Sequence, residues 1–170
     1  MAHESRLTRE LRDLLHTQRV AALGTLDDQG APYVSMVPYA IVPDWAQLVI
    51  HVSALAAHTR HLQACRAVSL LVMQSEAAGA SVHALPRVTL QGQAVLLEPG
   101  SAAQQAARTA YLARFPEAEP MTQLPDFRFV AIQVEQARQV AGFGAARSLD
   151  ADALKDLLIR APSGPAINLD

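Results

Sequence analysis

The chain of 170 residues has one cysteine, Cys65, and one tryptophan, Trp45. A single thiol excludes a disulfide framework within the chain and suits a reducing compartment. Charged residues are few, 18% against 51% hydrophobic, which marks a globular protein with a large apolar share. The net charge of −2 lacks the basic excess of a general nucleic-acid binder. No uncharged apolar run reaches the roughly 18 residues of a membrane span, and no cationic segment leads into an apolar one. The expectation is a cytoplasmic protein with no membrane and no nucleic-acid partner. No internal repeat or low-complexity tract is present. The length favours one domain, able to bury roughly two thirds of its unfolded surface.

What is present is a regular alternation of short elements. Residues 5–18, "SRLTRELRDLLHTQ", place Leu7, Leu11, Leu14 and Leu15 on one helical face. Strands are predicted at 20–26, 31–40 and 46–52, with turns at "DDQG" and "VPDW". Within 31–40, Tyr33, Ser35, Val37 and Tyr39 face one way and Val34, Met36, Pro38 and Ala40 the other. Pro38 cannot donate a ladder hydrogen bond, so this strand is an edge or kinks there. A short helix at 55–64 precedes a buried strand at 67–74, a loop at 75–85 and a strand at 87–97. Gly92 inside that strand predicts a bulge or a close approach. Ser101 and Gln104 stand at capping-box spacing before a helix that reaches residue 115. Residues 116–126 are irregular, "FRFVAIQVE" and "RQVAGFG" read as two strands, and 150–160 as a last helix with a loose tail at 161–170. Strands that mostly follow strands give a mainly β protein with flanking helices (α+β), antiparallel rather than doubly wound.

The chemistry concentrates in "HVSALAAHTRHL", residues 51–62. His58 and His61 stand at i, i+3, with His51 just before, but no HExxH glutamate or third ligand accompanies them. No metal site is therefore assigned. Cys65 ends an apolar helix and reads as a packing thiol. "GFGAA" at 142–146 lacks the third spaced glycine of a dinucleotide loop, and neither a GxSxG elbow nor a Walker loop occurs. Ser53 stands where it can cap the following helix, and the same corner, with His58 and Thr59, can offer donors to an anion. Local physics leaves capping and anion binding both open. Tyr111, Phe115, Phe127 and Phe129 read as core or interface packing.

The blocks "VAALGTLDDQGAPYVSMVPYA", "LVIHVSALAAHTRHLQACRAVSLLVMQ" and "PRVTLQGQAVLL" resemble the FMN-binding split β-barrel family of pyridoxamine 5'-phosphate oxidase. "SALAAHTRHL", "RFPEAEPMTQLPDF" and "ARQVAGFGAA" resemble its haem-utilisation branch more closely, extending the likeness to about residue 147. The resemblance implies an antiparallel split β-barrel over residues 1–147 with its N-terminal helix, and a C-terminal helix and tail at 148–170 in the same domain. It implies FMN at a homodimer interface, a small-molecule substrate and an oxidoreductase activity, with no catalytic residue nominated.

By position, the resemblance places the flavin ring along the backbone of Ser35, Met36, Val37 and Pro38, with His51 and Val52 closing the next strand. Ser53, His58 and Thr59 match the phosphate corner, and Arg87 matches a glutamine that touches the flavin. Gly142, Phe143 and Gly144 match a loop that approaches from the partner chain. The departures count against pyridoxamine phosphate oxidation. Ser35 replaces a basic residue, Ala40 replaces a lysine, and the C-terminal tryptophan and arginine motif is missing. The alternatives are a haem-binding or haem-degrading protein on this fold, and a dimeric binding module without flavin. The end at Asp170 leaves no room for the further C-terminal domain often found in the haem branch, which counts against haem cleavage.

Overall fold

A computed structural model describes residues 4–161. Of the loose tail expected at 161–170, residues 162–170 lie outside the described ones. Helix α1, Arg6–Thr17, begins where the Thr8 N–H donates to the Ser5 hydroxyl at 3.2 Å, and Leu11, Leu14 and Leu15 form its buried stripe. There follow β1 Val20–Leu26, β2 Pro32–Val42, β3 Gln47–Ser53, α2 Ala57–Ala64, β4 Ala67–Met73 and β5 Arg87–Leu96. Then come α3 Ala102–Arg114, β6 Phe127–Val140, β7 Ala146–Asp150 and α4 Ala151–Ile159. Every strand pairing is antiparallel. The sheet runs β3-β2-β1-β4-β5-β6, and β3 returns to β6, closing a six-stranded barrel with β7 added beside β6. The α+β antiparallel barrel is as expected.

The barrel is split, and one residue explains where. β2 pairs with β1 from Pro32 to Pro38, but with β3 only from Tyr39 to Val42. The Tyr39 N–H donates to the Arg19 carbonyl at 3.2 Å, which fixes the phase of β2. Residues 33, 35 and 37 therefore turn their peptide groups to β1, and 34, 36 and 38 turn theirs to the opposite edge. Beyond Ala40, the next position able to bond β3 is Pro38, which has no N–H. The β2–β3 ladder stops there and leaves an open edge at Val34 and Met36.

Two apolar layers hold the fold. Val37, Tyr39, Ile50, Val52, Leu70 and Leu90 fill the barrel, continuous with leucines of α1 and α4. Outside β2, β3 and β6, helix α3 lays Ala107, Tyr111 and Phe115 on Ala40, Val49 and Phe129. The Tyr39 hydroxyl crosses from the barrel to donate to the Leu15 carbonyl at 2.7 Å, docking the end of α1. The Gln104 N–H donates to Ser101 at 3.0 Å, so the α3 cap forms as the spacing predicts.

Two expectations are corrected. β6 is one strand of 14 residues where two were expected, and the last strand begins at Ala146. The "GFG" expected inside a strand is the β6–β7 hairpin turn, with φ of +115° at Gly142 and +74° at Gly144. Those left-handed angles suit glycine and end the strand at Val140.

Candidate functional site

Helix α2 lies across the end of the barrel where β1 and β2 turn. Its first turn has Ala56 as N-cap, with no side chain bonding the free N–H groups. Ser53 is not the cap. Its hydroxyl donates to an Asp126 carboxylate oxygen at 3.3 Å and accepts from the Leu55 N–H at 3.2 Å. Thr59 is buried, and its hydroxyl donates back to the Ser53 carbonyl at 2.6 Å.

His58 and His61 leave the same face of α2 toward the strands. The His58 Nδ1 lies 3.0 Å from the Ser35 hydroxyl, and the His61 Nδ1 lies 3.0 Å from the Thr25 hydroxyl. The Tyr33 ring meets His61 edge-on, with centroids 5.2 Å apart. Burial lowers the His58 pKa, and the neighbouring His61 lowers it further. Burial thus disfavours the cationic form of His58. Thr25 and Tyr33 were not among the expected site residues. Their signal was the alternation that puts them on the inner face with Ser35, at the strand ends where α2 closes the barrel.

The other expected residues scatter. Val37 and Val52 lie in the barrel core. Met36 is 65% exposed on the outer face, while Pro38 is half-buried at the split. His51 is 8% exposed, its ring among Phe127, Phe129 and Tyr111 on the α3 side. Arg87 donates to the Leu85 carbonyl at 3.0 Å and sits opposite Met73 and Val140. Six residues along β4 separate that row from Ala67, roughly 20 Å at the rise of a strand. Gly142, Phe143 and Gly144 follow Val140 at that same far end, with Phe143 80% exposed. Within one chain, Arg87 and the glycine turn are thus remote from Ser53, His58 and Thr59.

Beside the α2 end lies a groove of about 320 Å³, lined by Gly24, Thr25, Leu26, Tyr33, Val34 and Val68 among others. It opens onto the outer face of β2, β1 and β4, where Val34, Met36 and Leu71 are exposed. That volume stands at the small end for a ligand pocket.

These residues fit a phosphate poorly. A dianion at the corner would meet the Asp126 carboxylate, the Ser53 and Thr59 hydroxyl protons already point to protein oxygens, and burial disfavours the cationic form of His58. They fit an iron porphyrin better. Imidazoles are side chains that ligate haem iron, each of these two has its Nδ1 at 3.0 Å from a strand hydroxyl, and Thr25, one of those hydroxyl residues, also lines the groove.

Comparison with known proteins agrees with this balance. Haem oxygenase HutZ of Vibrio cholerae is 29% identical over 156 residues, covering 91% of this chain and 88% of its own length. The solved structure of a haem binding protein from Mycobacterium smegmatis superposes with a TM-score of 0.80 at 28% identity. It covers 91% of this chain, which spans only 62% of that one. The structure of HutZ, described as the haem storage protein of Vibrio cholerae, gives a TM-score of 0.71 at 26% identity. That match covers 77% of this chain and 92% of the other. Residues 7–141 match the family profile of pyridoxamine 5'-phosphate oxidase, and the chain belongs to that family.

Proposed function

We propose that this protein binds haem at the α2 end of its barrel, as a homodimer, and that haem is its substrate or cargo. The observation that carries the reading is the imidazole pair of α2, each ring 3.0 Å from a strand hydroxyl, one of which belongs to Thr25 at the edge of an apolar groove. His58 and His61 are the candidate iron ligands. Val34 and Tyr33 offer apolar surface to the macrocycle, and Arg60 on α2 is an exposed cation for a propionate. The names of the relatives support haem over the flavin expected from the wider family. The argument from chain length against haem cleavage lapses, because this chain covers 88% of a relative named a haem oxygenase.

The test is a haemin titration of the purified protein, followed in the visible spectrum, with FMN added in a parallel series. Saturable binding with a shifted Soret band is expected, and no retention of FMN. A reductant and oxygen then separate cleavage from storage: the Soret band is lost in the first case and kept in the second. A protein that ignores haemin sinks the reading.

Flavin binding is the second reading, favoured by the open edge of β2. There the peptide groups of Val34 and Met36 face away from β1 and can meet a flat heterocycle. Retention of FMN with no haemin binding would establish it.

A further inference from the structure

The segment that carries α2 is pinned at both ends and lightly held between them. At one end the Ala54 N–H donates to the Asp126 carbonyl at 2.6 Å, and at the other the Ala94 N–H donates to the Arg66 carbonyl at 2.8 Å. Residues 55–65 run between these points. Most of their hydrogen bonds stay local. The Leu55 N–H donates to the Ser53 hydroxyl, and the Ala56 N–H and the Thr59 hydroxyl donate to the Ser53 carbonyl. Among the described residues, two side-chain pairs reach from α2 to other strands. The His58 ring lies 3.0 Å from the Ser35 hydroxyl of β2, and the His61 ring 3.0 Å from the Thr25 hydroxyl of β1. The Tyr33 ring adds an edge contact to His61. Leu62, 1% exposed, is the one apolar side chain this segment buries, and it belongs to the barrel core.

The other helices are held differently. α1 buries Leu11, Leu14 and Leu15, and α4 buries Leu154, Leu157 and Leu158. α3 lays Ala107 and Tyr111 on the sheet, and all three helices have a side-chain N-cap. α2 has eight residues and no side-chain cap. A free helix of that length is at best marginal in water, so its order depends on its docking. We propose that residues 55–65 form a strap that undocks and unwinds as a unit while the barrel stays folded. Its hinges are Ala54 and Arg66, and its latches are the His58–Ser35 and His61–Thr25 contacts. When it opens, Leu62 leaves the end of the barrel, and the inner face that carries Thr25 and Ser35 meets solvent. The strap is thus a gate to the apolar interior. The proposal goes beyond the haem reading and does not depend on it.

Native-state hydrogen exchange of the full chain, read amide by amide, tests this. The helix-bonded amides from Arg60 to Cys65 are expected to exchange as a group, at least about a hundredfold faster than the ladder amides of β4, β5 and β6 once intrinsic rates are divided out. Low concentrations of urea should leave the strap rates unchanged, because a local opening exposes little surface, and should raise the barrel rates. Ser35→Ala combined with Thr25→Val cuts both latches. It is expected to speed the strap about tenfold or more without altering the barrel. Wild-type strap amides that exchange with the barrel and share its urea dependence overturn the proposal. So does a double variant that leaves the strap unchanged, or one that accelerates every amide equally.

Discussion

His51 carries an imidazole into an aromatic cluster that offers it no hydrogen bond. Its Nδ1 is buried without a partner among the described residues, and the rings of Phe127 and Phe129 lie 5.0 and 4.4 Å away. Burial drives its pKa down to about 4 from the ordinary 6.5. The unfolded chain therefore takes up this proton at a higher pH than the native state. Above pH 6.5 the group is neutral in both states and costs nothing through protonation. As the pH falls from 6.5 toward 4, stability is lost, at most by about 3 kcal/mol. His51→Phe removes that contribution and the orphaned nitrogen. In urea unfolding at pH 7 and pH 4.5, the variant is expected to lose less stability between the two than the wild type. An equal loss refutes the account. Tyr39→Phe acts in the opposite sense. It strips the Leu15 carbonyl of its donor at the end of α1 and is expected to cost about 1–2 kcal/mol at any pH near neutrality. At this scale the sequence was informative about residue type and silent about direction. It drew attention to Ser53, His58 and Thr59, but two of those hydroxyls spend their protons on Asp126 and on Ser53 itself. Partners 73 residues away cannot be seen in a local pattern.

Single positions also decide the elements. Gly92 sits at the register shift between β5 and β6, and a Cβ there would stand 2.0 Å from the Gln133 carbonyl oxygen. No side-chain rotation relieves a clash with backbone, so Gly92→Ala must push the two strands apart. A loss of at least about 2 kcal/mol in urea unfolding is expected, and a neutral result would mean the bulge absorbs the methyl group. Gly92 was legible because glycine inside a strand is costly unless the backbone needs it. The split was half legible. Pro38 predicts an edge, but only the pairing of Tyr39 with Ile50 shows which neighbour it loses. β7 was not legible. Of "ARSLD" only Leu149 is buried, so no alternation marks it, and the strand exists because β6 extends past β3 and offers an edge. The expected break within β6 failed for the converse reason. Gln136 and Ala137 interrupt the apolar run, yet β5 on one side and β7 on the other carry the ladder through.

For the whole molecule, the outer face of β2, β1 and β4 is the feature a single chain leaves unexplained. Val34 is 67% exposed and Met36 65%, and Val20, Leu26, Leu71 and Met73 extend the same surface. Register places them side by side, with Ala22 between Met36 and Leu71, and Gly24 between Val34 and Ser69. A contiguous apolar sheet face of this kind calls for a cover. A second copy meeting it about a twofold axis would bury the face of each chain at once. Analytical ultracentrifugation is expected to find the wild type at twice the mass of the chain. Val34→Glu with Met36→Glu should reduce that to the mass of one chain. Far-UV circular dichroism should not change, because both side chains are already largely outside the fold. Haemin affinity should fall in the same variant, although neither substitution touches His61. A wild-type monomer would overturn the assembly, and a monomeric variant with undiminished haemin affinity would place the whole site within one chain.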